Sequence, residues 1–276
     1  MDSFLRWAGS KRQLLGKMSV DFPQGPFRYI EPFAGSACLF FHLEPAEAIL
    51  GDLNSDLIRT LRAVQRDVSL VLECLRRLRK GKASYYSLRR VNPGTLSDAE
   101  SAARFIFLNH YCFNGIFRTN SAGQFNVPYG PPKNGSPVNE ERIVRAARGL
   151  QKATLYNGDF SETLAHARPG DFVYLDPPYA VESRRVFSHY IPGTFSKVDL
   201  HRLGEALETL DSKGAQFLIS YGDSPEARRL LKPWRPRRIW TRRNVAGFVG
   251  DRRGAYELLA TNLNRGKSHA DRRRKF

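Results

Sequence analysis

The sequence predicts an α/β protein built on a doubly wound sheet, and three observations predict it. Strand-like and helix-like runs alternate along the chain. Three of the strand candidates run into an Asp (Asp52, Asp159 and Asp176), and ligands of open parallel sheets bind outside the carboxyl ends of the strands. The 276 residues, 41% hydrophobic and 12% aromatic, suffice for a packed core without disulfide or metal staples.

In chain order, Phe27 to Ile30 is β-prone and leads into the turn-rich stretch Glu31 to Ala37. Ala48 to Gly51 is a second strand candidate that stops at Asp52. A helix is expected from Ser55, because Leu57, Leu61, Val64, Val68, Val71, Leu75 and Leu78 step by four and three along one face. Ala153 to Tyr156, Phe172 to Leu175, Gln216 to Ser220 and Tyr256 to Ala260 are the later strands. A helix capped by Ser196 carries Leu200, Leu203, Leu207 and Leu210 on one stripe. The middle has a different texture, with the basic run Arg76 to Lys82, then the turn signal Asn114-Gly115 between aromatic flanks. The expected division is a first catalytic part over 1–56, an inserted, mainly helical subdomain with a hairpin over 57–140, a second catalytic part over 141–264, and a disordered basic tail over 265–276.

Charge narrows the function classes. Lys plus Arg is 44 against 27 for Asp plus Glu, a formal net charge of +17. Such an excess speaks of partners, with nucleic acid first and an anionic membrane surface second. No apolar run approaches the ~20 residues of a spanning helix, and no signal peptide is read, so a cytoplasmic protein is expected. Cys38, Cys74 and Cys112 show no metal or disulfide spacing, and the six histidines form no ligand pattern, so no metal is expected.

Asp176-Pro177-Pro178-Tyr179 follows a strand directly. Two prolines enforce a rigid, extended turn that lacks backbone donors, which fixes the Asp176 carboxylate and the Pro177 carbonyl as acceptors. Two convergent acceptors beside the Tyr179 ring suit a planar ring with an exocyclic amino group, although a plain strand-ending turn has the same composition. Holding both amino hydrogens localises the nitrogen lone pair, and an ionised Asp176 stabilises positive charge as that nitrogen is alkylated. The small-residue loop Glu31 to Ala37 admits a cofactor close to the backbone, and Asp52, about 20 residues on, is placed to bond ribose hydroxyls. Asp is also simply a good turn and cap former.

Taken together, these residues resemble the Dam-like, D12 class DNA adenine-N6 methyltransferases over nearly the whole chain. Phe4 to Lys11 is similar to that family's F-L-K-W-A-G-G-K, Glu31 to Ala37 to E-P-F-x-G-x-G, and Asp52 to Ile58 to D-x-N-x-D-L-I. Phe113-Asn114-Gly115 with Arg118, then Gly123 to Pro128, resembles the family's N-G-x-x-R and G-x-F-N-V-P blocks, and Asp176 to Tyr179 is its D-P-P-Y. The resemblance implies a Rossmann-like methyltransferase sheet and site-specific, direct transfer of a methyl group from S-adenosylmethionine to a flipped adenine. The substrate would be double-stranded DNA with GATC as target, the enzyme a monomer and S-adenosylhomocysteine the second product. It assigns catalysis to Asp176, Pro177 and Tyr179. It assigns the cofactor to Trp7, Lys11, Glu31, Phe33, Ala34, Gly35, Asp52, Asp159, Phe160 and Asp176. DNA contact falls to Arg6, Phe113, Asn114, Arg118, Asn120, Asn126 and Pro128. The chain departs from the pattern at Arg6, Ser10, Ala37, Phe113 and Ser220-Tyr221. Methylation of RNA adenine or of a cytosine amino group, and a DNA-binding protein without catalysis, are the alternative readings.

Overall fold

A computed structural model describes residues 3–7, 9–132, 135, 137–178, 195–242 and 254–263. Tyr179 and the tail from 265 lie outside the described residues. One seven-stranded sheet organises the molecule, in the order β3-β2-β1-β4-β5-β7-β6. Its strands are β1 (Arg28–Glu31), β2 (Glu47–Asp52), β3 (Ala153–Asn157), β4 (Phe172–Leu175), β5 (Gln216–Gly222), β6 (Arg237–Arg242) and β7 (Gly254–Thr261). The pairs among β1 to β5 are parallel, and β7 runs antiparallel to both β5 and β6. Strand order reverses at β1 and β4, so a crevice opens above their carboxyl ends.

The central strands β2, β4 and β5 are mainly apolar because helices cover both faces. Side chains alternate between two buried clusters with period two. Ala48, Leu50, Phe172, Tyr174 and Leu218 point into one. Ile49, Val173, Leu175, Phe217 and Ile219 point into the other. The second face carries the helix Lys197–Lys213, whose Leu200, Leu203, Leu207 and Leu210 are buried and whose Ser196 forms the expected cap within a capping box with Asp199.

The long helix expected from Ser55 is two helices, Ser55–Arg66 and Val68–Arg77. Asp67 breaks it: its φ is −152° and its carboxylate accepts from Leu70 N, making it the cap of the second segment. A short acid prefers that role to a helix interior. The apolar stripe survives the break, since Leu57, Leu61, Val64, Val71 and Leu75 are all buried in the same cluster as the first face of the sheet. The helices Asp98–Tyr111 and Glu140–Leu150 pack into that cluster too.

The Asn114-Gly115 signal marks a turn, not the hairpin tip. Both residues have positive φ, 53° and 65°, inside a short 3-10 segment. The tip lies at Asn120 to Gln124, where Asn120 Oδ1 accepts from Ala122 N and Gln124 N and Gly123 takes φ 74°. Bridges Cys112 to Tyr129 and Thr119 to Phe125 hold the two arms.

Candidate active site

The period-two alternation places Tyr29, Glu31, Tyr174, Asp176, Ser220 and Glu257 on one side of the sheet near the carboxyl ends of the parallel strands. Asp176 comes directly after β4 and is partly exposed. Its Oδ1 accepts from Ser220 Oγ at 3.0 Å and pairs with Lys11 Nζ at 2.7 Å. Ser220 in turn meets Tyr174 Oη at 2.9 Å. Since the serine hydrogen is committed to Asp176, Tyr174 donates to Ser220. Oδ2 takes no hydrogen bond from any described residue. Lys11 is buried, donates to Gly9 O at 3.1 Å and lies 3.8 Å from the buried Glu257 carboxylate. One oxygen of Asp176 is thus fixed by protein and the other is left facing the crevice.

Asp52, the last residue of β2, anchors the loop beside it. Its Oδ2 accepts from Gly35 N at 2.8 Å and its Oδ1 from Asn54 N at 2.9 Å. Burial pushes its carboxyl up, and those two bonds oppose the rise. Gly35 sits at φ 47°, and a Cβ there would meet Trp7 Nε1 at 2.7 Å, so the glycine lets the indole lie on the loop. Ala34 N donates to Gly51 O at 2.8 Å, which fastens the same loop to β2. Phe33 stacks on Phe160 at 5.2 Å and meets Phe195 edge-on at 6.1 Å, forming an aromatic cluster next to Asp159. Burial raises Asp159, but Arg202 at 2.5 Å and Ser161 more than offset it and hold the carboxyl below its ordinary value. The Arg202 guanidinium also covers the outer face of Phe160, 4.8 Å from its centroid.

Glu31 is buried, its Oε2 has no hydrogen-bond partner among the described residues, and burial holds its carboxyl well above the usual range. A carboxyl kept neutral in the fold ionises more readily once unfolded. The unfolded chain then binds fewer protons, so this group's contribution falls as pH rises from the ordinary Glu value towards its raised folded value. Glu31→Gln should therefore flatten the fall of the ligand-free melting temperature across that window, measured beside the native chain.

All the residues assigned to the cofactor, with Asp176 and Pro177, line one cleft of about 1910 Å³. Tyr179 lies outside the described residues. Of the DNA group, Arg6, Asn114 and Arg118 line the cleft, and Phe113, Asn120, Asn126 and Pro128 belong to the hairpin beside it. Arg6 is docked: Nη1 donates to His110 O at 2.6 Å, and its backbone exchanges bonds with the Asn109 amide. Asn120 shapes the tip. Asn126 Oδ1 accepts from Arg118 Nε at 2.9 Å, and Pro128 O accepts from Phe113 N at 2.9 Å. Arg118, Asn114, Pro128 and the Phe113 ring are exposed.

Sequence reasoning missed Ser220 as a partner of Asp176, and it missed Glu257, Arg202 and Phe117. Glu257 had a signal, as the lone carboxylate in the apolar run Tyr256 to Ala260. Phe117 had none, yet it stacks on Trp7 at 6.1 Å and 14° and so joins the hairpin to the N-terminal segment.

A sheet of this order with a large cleft and an acidic, proline-locked turn at its centre is that of a Rossmann-like methyltransferase. The chain belongs to the D12 class N6 adenine-specific DNA methyltransferases, whose family model matches residues 7–245. It is 35% identical over 268 residues to the type II methyltransferase M1.LlaDCHI of Lactococcus lactis subsp. cremoris, covering 94% of each chain. It is 31% identical to the retron Ec67 DNA adenine methylase of Escherichia coli, over 95% of this chain and 92% of that one. Against the DNA adenine methylase of Escherichia coli strain K12 the identity is 30%, over 94% of each. The protein is an adenine-specific DNA methyltransferase.

Proposed function

We propose that the enzyme transfers a methyl group from S-adenosylmethionine to N6 of an adenine flipped out of duplex DNA, at GATC, leaving S-adenosylhomocysteine. The observation that carries this reading is the unequal treatment of the two Asp176 oxygens: Oδ1 is saturated by Lys11 and Ser220, and Oδ2 is free to accept an amino hydrogen. A paired, stacked adenine cannot reach a group at the floor of a cleft, so the base must leave the helix. The proposed roles are these. Asp176 Oδ2 and the Pro177 carbonyl take the two N6 hydrogens, with Tyr179 as the stacking plate, which localises the lone pair on N6. The Asp176 charge then stabilises the cation that develops there.

The residues of the cleft fit S-adenosylmethionine. Asp52 offers carboxylate acceptors to ribose hydroxyls, the aromatic wall at Phe33 suits an adenine ring beside Asp159, and the unpartnered Glu31 Oε2 suits an ammonium donor. When bound, that cofactor supplies an electrophilic methyl group on a sulfonium. Trp7, Ala34 and Gly35 shape the wall, and Lys11 holds Asp176 in place. A monomer is the acting unit in this reading. The net charge of +17 supports a polyanionic duplex as substrate, and the site of action in this reading is the cytoplasm. Residues 57–140 serve as the recognition subdomain in this reading, with Arg6, Phe113, Asn114, Asn120, Asn126 and Pro128 placing the hairpin on DNA.

Arg118 carries the target choice. Its Nε is held by Asn126, so the guanidinium plane is fixed with its terminal nitrogens exposed. That geometry suits a bidentate contact to guanine, worth roughly 1–3 kcal/mol of discrimination. Arg118→Ala should relax specificity at one base pair. Methylation rates on GATC duplexes and on duplexes altered at one outer pair test it. A uniform loss on all duplexes would make Arg118 a phosphate contact, and methylation mapped to an unrelated motif would overturn GATC.

A further inference from the structure

The segment 227–250 carries eight Lys and Arg residues and no carboxylate. Four of these cations, Arg228, Lys232, Arg235 and Arg238, line a depression of about 440 Å³ floored by Leu258. It lies away from the cleft. In the β6–β7 hairpin, Thr241 and Glu257 face the cleft, whereas Arg238 and Leu258 alternate to the opposite side of the sheet. Two of the guanidinium groups are preorganised by one buried acid: Arg228 and Arg238 each donate to Asp223 at 2.6 Å, and Arg238 also lies 3.7 Å over the Tyr256 ring. One carboxylate between two guanidiniums leaves a net positive charge and outward donors. The side chains of Lys232 and Arg235 make no hydrogen bond or ion pair with any described residue, although Arg235 N donates to Lys232 O at 3.2 Å. Arg235 is held on the rim at φ 48°, a conformation that costs energy for a residue with a Cβ. Like charges gathered without compensation repel one another, and fixed guanidinium forks match phosphate geometry.

We propose that this depression is a second, sequence-independent DNA site, which holds backbone phosphates of duplex outside the target while the cleft holds the target itself. The inference rests on DNA being the substrate. Its role is to keep the enzyme on long DNA between methylation events.

The test is the double variant Lys232→Gln, Arg235→Gln, compared with the native chain on two probes: a long duplex without GATC and a short GATC duplex with little flank. Losing two phosphate contacts should lower the slope of log affinity against log salt by roughly 1.8 on the long duplex. Between low and moderate salt the native chain should then lose on the order of tenfold more affinity than the variant. Methylation of the short duplex should be unchanged, whichever base pairs the cleft selects. An unaltered slope and affinity on long DNA would overturn the proposal. So would an equal loss on both probes, which would place these residues at the target. Unchanged DNA binding with loss of binding to phosphatidylserine vesicles would assign the surface to membrane instead. A native chain that methylates nothing would refute the function proposed above, and the long-duplex salt slope reads this site independently of that.

Discussion

Asp176→Ala is expected to lower the rate of methyl transfer by roughly 10²–10³ while DNA affinity stays close to native. The variant removes the Asp176 oxygen left open in the cleft, and with it the charge opposite the developing cation. Phosphate contacts dominate DNA affinity and lie elsewhere, so binding should survive. The substitution also strips the nearest partner from the buried Lys11, which then has Glu257 at 3.8 Å as its neighbouring acid. Asp176→Asn is the control, because an amide oxygen at the Oδ1 position still accepts from Ser220 and Lys11. If Asp176→Asn is as slow as Asp176→Ala, the loss belongs to the charge and the open acceptor and not to a collapsed floor. Single-turnover rates with saturating cofactor read this directly.

Asp52→Ala should act on the other ligand. Asp52 accepts two backbone hydrogen bonds that fix the Gly35 loop against β2. Bonds to a charged acceptor contribute roughly 1.5–3 kcal/mol each, so losing one set should weaken S-adenosylmethionine binding by about tenfold to a hundredfold. The chemical step at saturating cofactor should change far less, since the ribose is remote from the reacting sulfur. Calorimetry gives the affinity and a saturating assay gives the rate. A large fall in saturated rate with unchanged affinity would move Asp52 out of the cofactor's surroundings.

The legible parts of this molecule were those written in local patterns. Parallel strands buried on both faces read as short apolar runs, and β1 to β5 follow from them. The three strand-ending acids were visible because Asp at such a position is a good turn and cap former, and Asp159 serves in a capping box. What stayed hidden was long-range. β6 is an edge strand whose sequence, Arg237 to Arg242, is half arginine, so its charge concealed its pairing with β7. The bond from Ser220 to Asp176 joins residues on neighbouring strands 44 positions apart, and no spacing rule encodes it. Arg202 reaches Asp159 from a helix 43 residues on. The stack of Trp7 on Phe117 needs the N-terminal segment docked onto the hairpin, which Gly115 permits because a Cβ there would strike Arg6. The break at Asp67 was readable in principle, since the acid has the residue type of a cap, but the unbroken apolar stripe outweighed it.

The claim at the centre of this account is that the cleft methylates adenine at N6 with Asp176 as the acceptor. Mass spectrometry of nucleosides released from duplex DNA, after incubation with the enzyme and isotopically labelled S-adenosylmethionine, tests it most directly. Label is expected in N6-methyldeoxyadenosine alone, and is expected to be lost with Asp176→Ala. Label in a methylated cytosine, or N6-methyldeoxyadenosine formed at the native rate by Asp176→Ala, would contradict it.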